Sequence, residues 1–442
     1  MAIHLYDKFN YRRLIRFVIP SIVMMVFSSI YGVVDGLFVS NFVGKTAFAS
    51  VNLIMPFLMV ITTVGFMIGT GGSALVAKIY GEGDTERARR IFSFLIYTTL
   101  VTGGLLSVLG FIFIRPISVL LGAEGEMVDI CVRYGRIILI SLTAWMLQNV
   151  FQSFCVTAEK PGFGLVIMVA AGLTNIFLDF LFVDVFKWGI IGAAAATAAS
   201  QAVGGIVPFC YFAFPNSSIL RLTRCDVDLK ALGKSLTNGS SELMTNLSMS
   251  IVNILYNYKL MNMYGEDGVA AYGVIMYVAF IFISIFIGYS IGSAPIVSYN
   301  YGAKSIEELK NVHKKGMVLI CVGAVSLTLI AVILSPVLSG VFVGYDRGLY
   351  ELTKKAFALY SISFLFAGFN IYASSFFTAL GNGFVSAAIS FLRTLLFQVA
   401  AIFAVPAIIG DDGIWLAIVV AELFSIAVSI FFLAKNKKKY GY

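Results

Sequence analysis

The chain of 442 residues repeats itself at a spacing of 221 residues, half of its length. Residues of the first half recur in register in the second half. The matched pairs are Asn41 and Asn262, Gly44 and Gly265, Gly71 and Gly292, Tyr80 and Tyr301, Gly81 and Gly302, Asn149 and Asn370, Thr157 and Thr378, Ala158 and Ala379, and Gly162 and Gly383. A repeat of this length predicts two similar structural units in one chain.

The chain is apolar nearly throughout. Hydrophobic residues make up 59% and charged residues 12%, against about 25% charged residues in soluble domains. Stretches long enough to cross a bilayer as helices cover 15–43, 47–78, 91–114, 128–156, 162–184, 189–213, 236–264, 269–299, 316–343, 355–378, 383–406 and 412–434. They lack the two-residue alternation of barrel strands. We therefore predict an all-α membrane protein with twelve transmembrane helices, six in each half. Duplicated membrane units of this kind are typical of secondary transporters.

The basic residues predict the topology. Most Lys and Arg residues fall on one side of the membrane if the N-terminus is cytoplasmic, as the positive-inside rule requires. We expect an N-terminal lobe at 1–214, a cytoplasmic connector at 215–235 and a C-terminal lobe at 236–442, with both termini cytoplasmic. The net charge of +8 is dispersed among loops, so it is an orientation signal and does not indicate nucleic-acid binding. The predicted location is a plasma membrane, the inner membrane of a bacterium.

Motifs for enzyme chemistry and cofactors are lacking. The five cysteines and two histidines have no metal-ligand spacing, and the chain contains no G-x-x-x-x-G-K-[ST] sequence for binding nucleotide phosphates. We predict that the protein is not an enzyme, needs no cofactor and has no obligatory protein partner. In the loops, Asp84 and the pair Ser305 and Glu308 are expected to cap short surface helices, the latter as a capping box.

Polar residues in three spans of the first half fall at one depth. Asp35 in the first span, Asp179 in the fifth and Thr197 in the sixth lie roughly 9–12 Å below the outer boundary, and Asn175 lies one turn deeper on the face of Asp179. Two carboxylates meeting in a low-dielectric cavity do not both stay ionised, so one could hold a proton at neutral pH. The oxygen ligands would equally suit Na⁺. The alternative is a polar knot that fixes helix packing.

The second half differs at these positions and carries other buried charges. Tyr256 stands where the first half has Asp35, so we expect the coupling chemistry to be confined to the N-terminal lobe. Arg393 and Glu422 lie near mid-membrane on neighbouring spans and predict a structural ion pair. Glu242, near the inner end of the seventh span, either draws cations to the inner mouth or only sits at a helix N-terminus.

Aromatic and methionine side chains of the first, second, seventh and eighth spans suggest a substrate cavity. Such side chains receive bulky cations through cation–π and soft contacts, although packing explains many residues of this type. The candidates, with Glu242, are Tyr31, Met55, Tyr256, Met276 and Tyr277.

With these features the chain resembles the multidrug and toxic compound extrusion (MATE) family over essentially its whole length. The resemblance rests on four stretches, two of them with a copy in the second half, that keep their order and spacing. They are Val-Val-Asp35-Gly-Leu-Phe-Val, Tyr-Gly-Glu-Gly-Asp84 with its Tyr-Asn-Tyr-Gly302 copy, Thr-Ala-Glu-Lys-Pro-Gly162 with its Thr-Ala-Leu-Gly-Asn-Gly383 copy, and Gly-Ala-Ala-Ala-Ala-Thr197.

The resemblance implies two six-helix lobes around a V-shaped central cavity and export of drugs, usually organic cations, in exchange for H⁺ or Na⁺. One prokaryotic branch holds the coupling ion in the N-terminal lobe, at positions that Asp35, Asn175, Asp179 and Thr197 match. Another branch uses acids of helices 7 and 10. The tenth span here has Asn370 and no acid, and Glu242 lies near the inner end, so the sequence departs from that pattern.

The leading hypothesis is therefore an antiporter that exports amphipathic, cationic compounds across the lipid bilayer in exchange for H⁺ or Na⁺. The alternative is a flippase for a lipid-linked oligosaccharide, a related two-lobed class. A passive channel and an intramembrane enzyme fit the sequence less well, because the acid cluster is asymmetric and no catalytic dyad is present.

Overall fold

The computed structural model describes residues 3–38, 43 and 45–442. Within these ranges the chain is almost entirely helical and forms no strand. Two of the repeated residues, Asn41 and Gly44, lie outside the described residues. The all-α prediction is confirmed.

In the described part of the first lobe, six helices cross the membrane. They are α1 (Tyr11–Phe38), α2 (Lys45–Gly81), α3 (Thr85–Leu120), α4 (Glu126–Thr157), α5 (Pro161–Asp179) and α6 (Gly189–Ala213). A π-helical segment, Phe180–Val185, continues α5. The core of this lobe forms where α4 packs on α2, α3 and α6, and where α5 packs on α1 and α6.

The second lobe follows a connector that ends in a short amphipathic helix. The helices are α7 (Leu229–Asn238), α8 (Ser240–Gly302), α9 (Ile306–Val343), α10 (Arg347–Ser361), α11 (Phe364–Ala379), α12 (Gly383–Phe391), α13 (Phe397–Ile409) and α14 (Gly413–Tyr440). The connector is predicted to end at residue 235, whereas α7 runs three residues further. The π-helical segment Leu392–Leu396 joins α12 to α13, and α10 meets α11 at a bend of 45°.

Helix α8 contains two membrane spans. Its 63 residues include Gly265, whose φ of 64° and ψ of −148° are not helical. This backbone region is open almost only to glycine, so the helix breaks there and the chain turns back into the membrane. With α8 counted as two spans, and with α10–α11 and α12–α13 as one span each, the described residues make the twelve spans and two six-helix lobes that the repeat predicts.

The two lobes meet closely at the end of the molecule that carries both chain termini. A Cβ atom added at Gly81 of α2 would overlap the carbonyl oxygen of Tyr299 on α8, and one at Gly302 of α8 would overlap that of Lys78 on α2. Lys78 and Tyr299 are equivalent in the 221-residue repeat, as are Gly81 and Gly302. The contact is thus reciprocal, and the absence of a side chain at both glycines permits it.

The N-terminal segment also bridges the lobes at this end. Glu159, in the loop after α4, accepts the backbone N–H of Leu5 at 2.7 Å and contacts His4 Nδ1 at 2.6 Å. In the second lobe, Glu308 accepts the N–H of Phe9 at 2.8 Å and Lys315 Nζ donates to the Phe9 carbonyl at 2.6 Å. Leu5 and Phe9 are both buried.

The predicted capping is confirmed at one helix and wrong at the other. Asp84 accepts the N–H of Arg87 at 2.9 Å and caps α3. Ser305 makes no side-chain cap at α9, and the Glu308 carboxylate accepts the N–H of Phe9 instead of completing a capping box. Both helices then run on continuously into the membrane spans, so no separate surface helix forms.

Candidate functional site

The polar residues at one depth in the first lobe come together in the structure. The Asp35 carboxyl, on α1, faces Asp179 and Asn175 on α5 and Thr197 on α6. Thr197 Oγ1 lies 3.4 Å from Asp35 Oδ1 and also donates to the Ala193 carbonyl at 3.0 Å. α1 and the consecutive helices α5 and α6 thus place two acids, an amide and a hydroxyl in one group, which we call the acid cluster.

The acid cluster is short of hydrogen-bond donors. Asp179 is fully buried and Asn175 is 1% exposed. Among the described residues, no donor reaches either carboxylate oxygen of Asp179 or the amide oxygen of Asn175. Two facing carboxylates can hydrogen bond to each other only when one carries a proton, and an ion buried without a partner is costly. The group therefore needs a proton or a cation to be satisfied.

Tyr134 of α4 completes the surroundings of this cluster and is not identified by the sequence analysis. Its hydroxyl faces Thr197 and lies within electrostatic range of both acids, and it is 4.0 Å from Met55 Sδ. A tyrosine in an apolar span carries no signal of its own, because its role depends on which neighbours α4 meets. The spacing of Tyr134 from the acids in sequence gives no hint of this contact.

A second site is a cavity of about 230 Å³ between the lobes, lined mostly by the second lobe. Of the predicted substrate residues, Glu242, Tyr256 and Met276 line it. Tyr256 stacks on Tyr272 with ring centroids 4.9 Å apart, and Met276 Sδ lies 3.9 Å from the Tyr360 hydroxyl. Among the described residues, no hydrogen-bonding or ionic partner reaches the Glu242 carboxylate. The cavity thus joins an aromatic and sulfur-rich wall to an unpaired acid.

Three predicted cavity residues lie elsewhere, and those predictions are corrected. Tyr31 faces Asp35, Ser28 and Gln148, so it borders the acid cluster. Met55 packs inside the first lobe against Tyr134. Tyr277 is 39% exposed and does not line the cavity, because one residue along a helix rotates the side chain by about 100° from that of Met276.

The charges predicted to pair in the second lobe are in contact. Arg393 Nε lies 2.8 Å from Glu422 Oε1 and 3.0 Å from Oε2. Asn370 Nδ2 donates to Glu422 Oε2 at 2.8 Å, and Ser429 Oγ donates to Asn370 Oδ1 at 2.8 Å. Glu422 is 2% exposed, whereas the Arg393 side chain is 14% exposed and lines the cavity. We call these four residues the Glu422 network.

Comparisons with known proteins agree with this architecture. The family model MatE matches residues 20–181 and 243–403, one match in each half. The chain is 23% identical to the multidrug export protein MepA of Staphylococcus saprophyticus over 93% of this chain and 91% of that protein. It is 21% identical to MepA of Staphylococcus aureus strain MRSA252, with the same coverages.

Solved structures share the fold. A MATE crystal structure in complex with MaL6 superposes with a TM-score of 0.93 at 21% identity, covering 98% of both chains. A structure described as the outward-facing conformation of a multidrug resistance MATE family transporter gives 0.92 at 21% identity, covering 98% of this chain and 97% of that one.

The two-lobed fold and the matches define the class: a multi-pass membrane efflux transporter and not an enzyme. The chain belongs to the MatE family, because the family model covers most of its length in two copies. The resemblance drawn from the sequence motifs is confirmed.

Proposed function

We propose that this protein is a secondary antiporter that exports amphipathic, cationic drugs in exchange for H⁺ or Na⁺ bound at the acid cluster. The observation that carries the proposal is Asp179, a buried carboxylate whose two oxygens lack donors among the described residues while it faces Asp35. A proton shared between the acids, or Na⁺ held by oxygens of Asp35, Asn175, Asp179 and Thr197, satisfies this group.

The separation of the two sites supports exchange rather than simple release. The acid cluster lies within the first lobe, whereas the cavity is lined mostly by the second lobe and by Met25, Phe66, Thr70, Ser73, Gln152 and Ser153 of the first. An ion and a drug at different sites exchange when each favours a different arrangement of the lobes. Filling the acid cluster would change the packing of α1 on α5, next to the cavity wall.

The cavity itself supports cationic, amphipathic substrates. Glu242 supplies a carboxylate without a partner in the described part of the chain, and Tyr256, Tyr272 and Met276 supply apolar, polarisable surface. Cations favour such a combination of a carboxylate and aromatic faces. The relatives named as multidrug export proteins fit this substrate class. The names of these relatives as export proteins support transport out of the cell.

The test is efflux of a fluorescent organic cation from proteoliposomes under an imposed proton or sodium gradient. Asp35→Asn and Asp179→Asn each remove one carboxylate but keep its size, and we expect both to abolish gradient-driven export. The gradient that drives the wild type identifies the coupling ion.

Asp184→Asn is the matched control. Asp184 follows Asp179 on the same span but is paired with Lys187 at 2.9 Å on the exposed surface, so its change should leave export intact. Export by both cluster variants at the wild-type rate would contradict the proposal. If the wild type moves no cation under either gradient, a lipid flippase becomes the better hypothesis for its function, and a lipid-scrambling assay tests it.

A further inference from the structure

Arg393 presents unused hydrogen-bond donors to the cavity. All hydrogen bonds that it makes to described residues use Nε, which donates to Glu422. A guanidinium has four further N–H groups on its two Nη atoms. No described atom accepts from them, although the side chain is only 14% exposed and lines the cavity. These N–H groups therefore face the cavity, where a ligand or water can accept from them.

The orientation of this guanidinium is fixed from behind. Asn370 holds Glu422 from the far side, and Ser429 holds Asn370. Glu422 in turn holds Arg393 at Nε. Arg393 stands on the π-helical segment Leu392–Leu396, a local change of winding that often occurs at functional positions. The Glu422 network therefore acts as a rigid support that leaves the Nη edge free to bind a ligand.

The free edge suits a carboxylate. Two parallel N–H groups of a guanidinium match the two oxygens of a carboxylate, and such pairs combine strength with geometric specificity. The cavity also offers the unpaired carboxylate of Glu242 and the rings of Tyr256 and Tyr272. It therefore has one group for a positive charge, one for a negative charge and an aromatic wall for an apolar body.

We propose that Arg393 is a specificity-determining residue whose Nη edge binds a carboxylate of the substrate. This inference rests on the proposed export function and assigns to Arg393 a role in substrate selection at the same cavity. Arg393 then does more than balance the charge of Glu422: its Nε serves the network, and its Nη atoms select the substrate.

The test compares two dyes that differ in one group. Rhodamine 110 has a free carboxylate, and rhodamine 123 is its methyl ester. Efflux of each from proteoliposomes is measured for the wild type and for Arg393→Gln. We expect Arg393→Gln to lower the ratio of rhodamine 110 efflux to rhodamine 123 efflux by about 10-fold or more, since a hydrogen bond to a charged group is lost. Arg393→Lys keeps the positive charge but lacks the two parallel N–H groups of a guanidinium. It should therefore also transport rhodamine 123 in preference to rhodamine 110.

A double variant is the control for loss of folding. Arg393→Gln alone leaves Glu422 buried without its counter-charge, whereas Arg393→Gln with Glu422→Gln removes both charges and keeps hydrogen-bonding groups. This pair should show the same selective loss of rhodamine 110. Equal loss of both dyes in the folded variants, or equal retention, overturns the inference.

The wild type separates this inference from the proposed function. Export of rhodamine 123 alone overturns the inference and leaves the antiport proposal standing. If the wild type exports neither of these dyes nor other organic cations under any gradient, the proposed function itself fails.

Discussion

Asn370 shows how a single amide supports a buried charge. Its side chain is fully buried, donates to both the carboxylate and the backbone carbonyl of Glu422, and accepts from Ser429. The equivalent residue of the first half, Asn149, is also buried, but its Nδ2 has no partner among the described residues. The two asparagines share a position in the repeat and differ in role, because only in the second lobe does the amide reach an acid.

Asn370→Ala should destabilise the second lobe by about 1–3 kcal/mol, since Glu422 loses a donor and Ser429 an acceptor in a buried place. Thermal unfolding of the detergent-solubilised protein measures the change. Asn257→Ala is the control, because Asn257 is exposed and makes no hydrogen bond to described residues. Equal melting temperatures for the two variants would show that the Glu422 network contributes nothing to stability.

Tyr134 and Thr197 test the acid cluster at the level of one hydroxyl. Tyr134→Phe removes only the oxygen that faces Thr197 and keeps the ring that packs in the first lobe. We expect ion-driven export to fall several-fold, because about one hydrogen bond near a charged group is lost. The melting temperature should stay within a few degrees of that of the wild type. Efflux at subsaturating gradients is the measurement.

Tyr97→Phe is the matched control for that substitution, since Tyr97 is 40% exposed on α3. If Tyr134→Phe transports as well as Tyr97→Phe, the hydroxyl takes no part in binding the coupling ion. The depth of the four residues of the acid cluster is predictable from the sequence, whereas no sequence feature marks Tyr134 as their neighbour.

Among the elements, the fifth span of each lobe departs from regular α-helix beside an ionisable residue. In the first lobe the π-helical segment Phe180–Val185 directly follows Asp179, and in the second Arg393 lies within Leu392–Leu396. The two segments are not equivalent in the repeat register. Neither was predicted, because a π-helical turn depends on packing against neighbouring helices and leaves no periodic signal in the sequence.

Gly265 makes the break between the two spans of α8, and Gly265→Ala should cost about 1–3 kcal/mol of stability because its φ of 64° strains any residue with a Cβ. The space around it is open, so no clash contributes. Gly273→Ala, on the same helix with equally open space and no positive φ, should be neutral or slightly stabilising. Thermal unfolding of both variants is the measurement, and similar losses would refute backbone strain as the cause.

At the scale of the whole molecule, the repeat is expressed in the contact between the lobes. Gly81 meets Tyr299 and Gly302 meets Lys78 as equivalent pairs, while Gly292 of α8 packs on Val18 of α1 and the equivalent Gly71 of α2 packs on Ser235 of α7. Glycines that recur in the sequence are thus found where the backbones of opposite lobes touch. Any rearrangement that opens this end must separate all of these contacts.

Gly302→Ala should weaken the closed contact between the lobes, since the added methyl overlaps the Lys78 carbonyl and backbone cannot yield as a flexible side chain does. We expect a loss of about 1–3 kcal/mol, as for other overpacked positions, and slower efflux. Gly104→Ala, at an open position of α3, is the control. Gly81→Ala should behave like Gly302→Ala, and a difference in their effects would contradict the reciprocal contact.

The two-fold repeat, the twelve spans and the depth of each buried polar group can be read from the order of the amino acids. This is possible because a helix rises by about 1.5 Å per residue, so position along the chain translates into position across the membrane. The acid cluster and the contact of Arg393 with Glu422 were foreseeable on that basis.

The direction in which each helix presents its side chains depends on packing in three dimensions. Tyr31 and Met55 are residue types that often line a cavity, yet they contact residues inside the first lobe. Arg393 lines the cavity, although the sequence predicts other residues there. A helix turns by about 100° per residue, and its rotation about its own axis is set by packing against several neighbours at once. The rotation of a helix therefore cannot be predicted from the sequence of that helix alone.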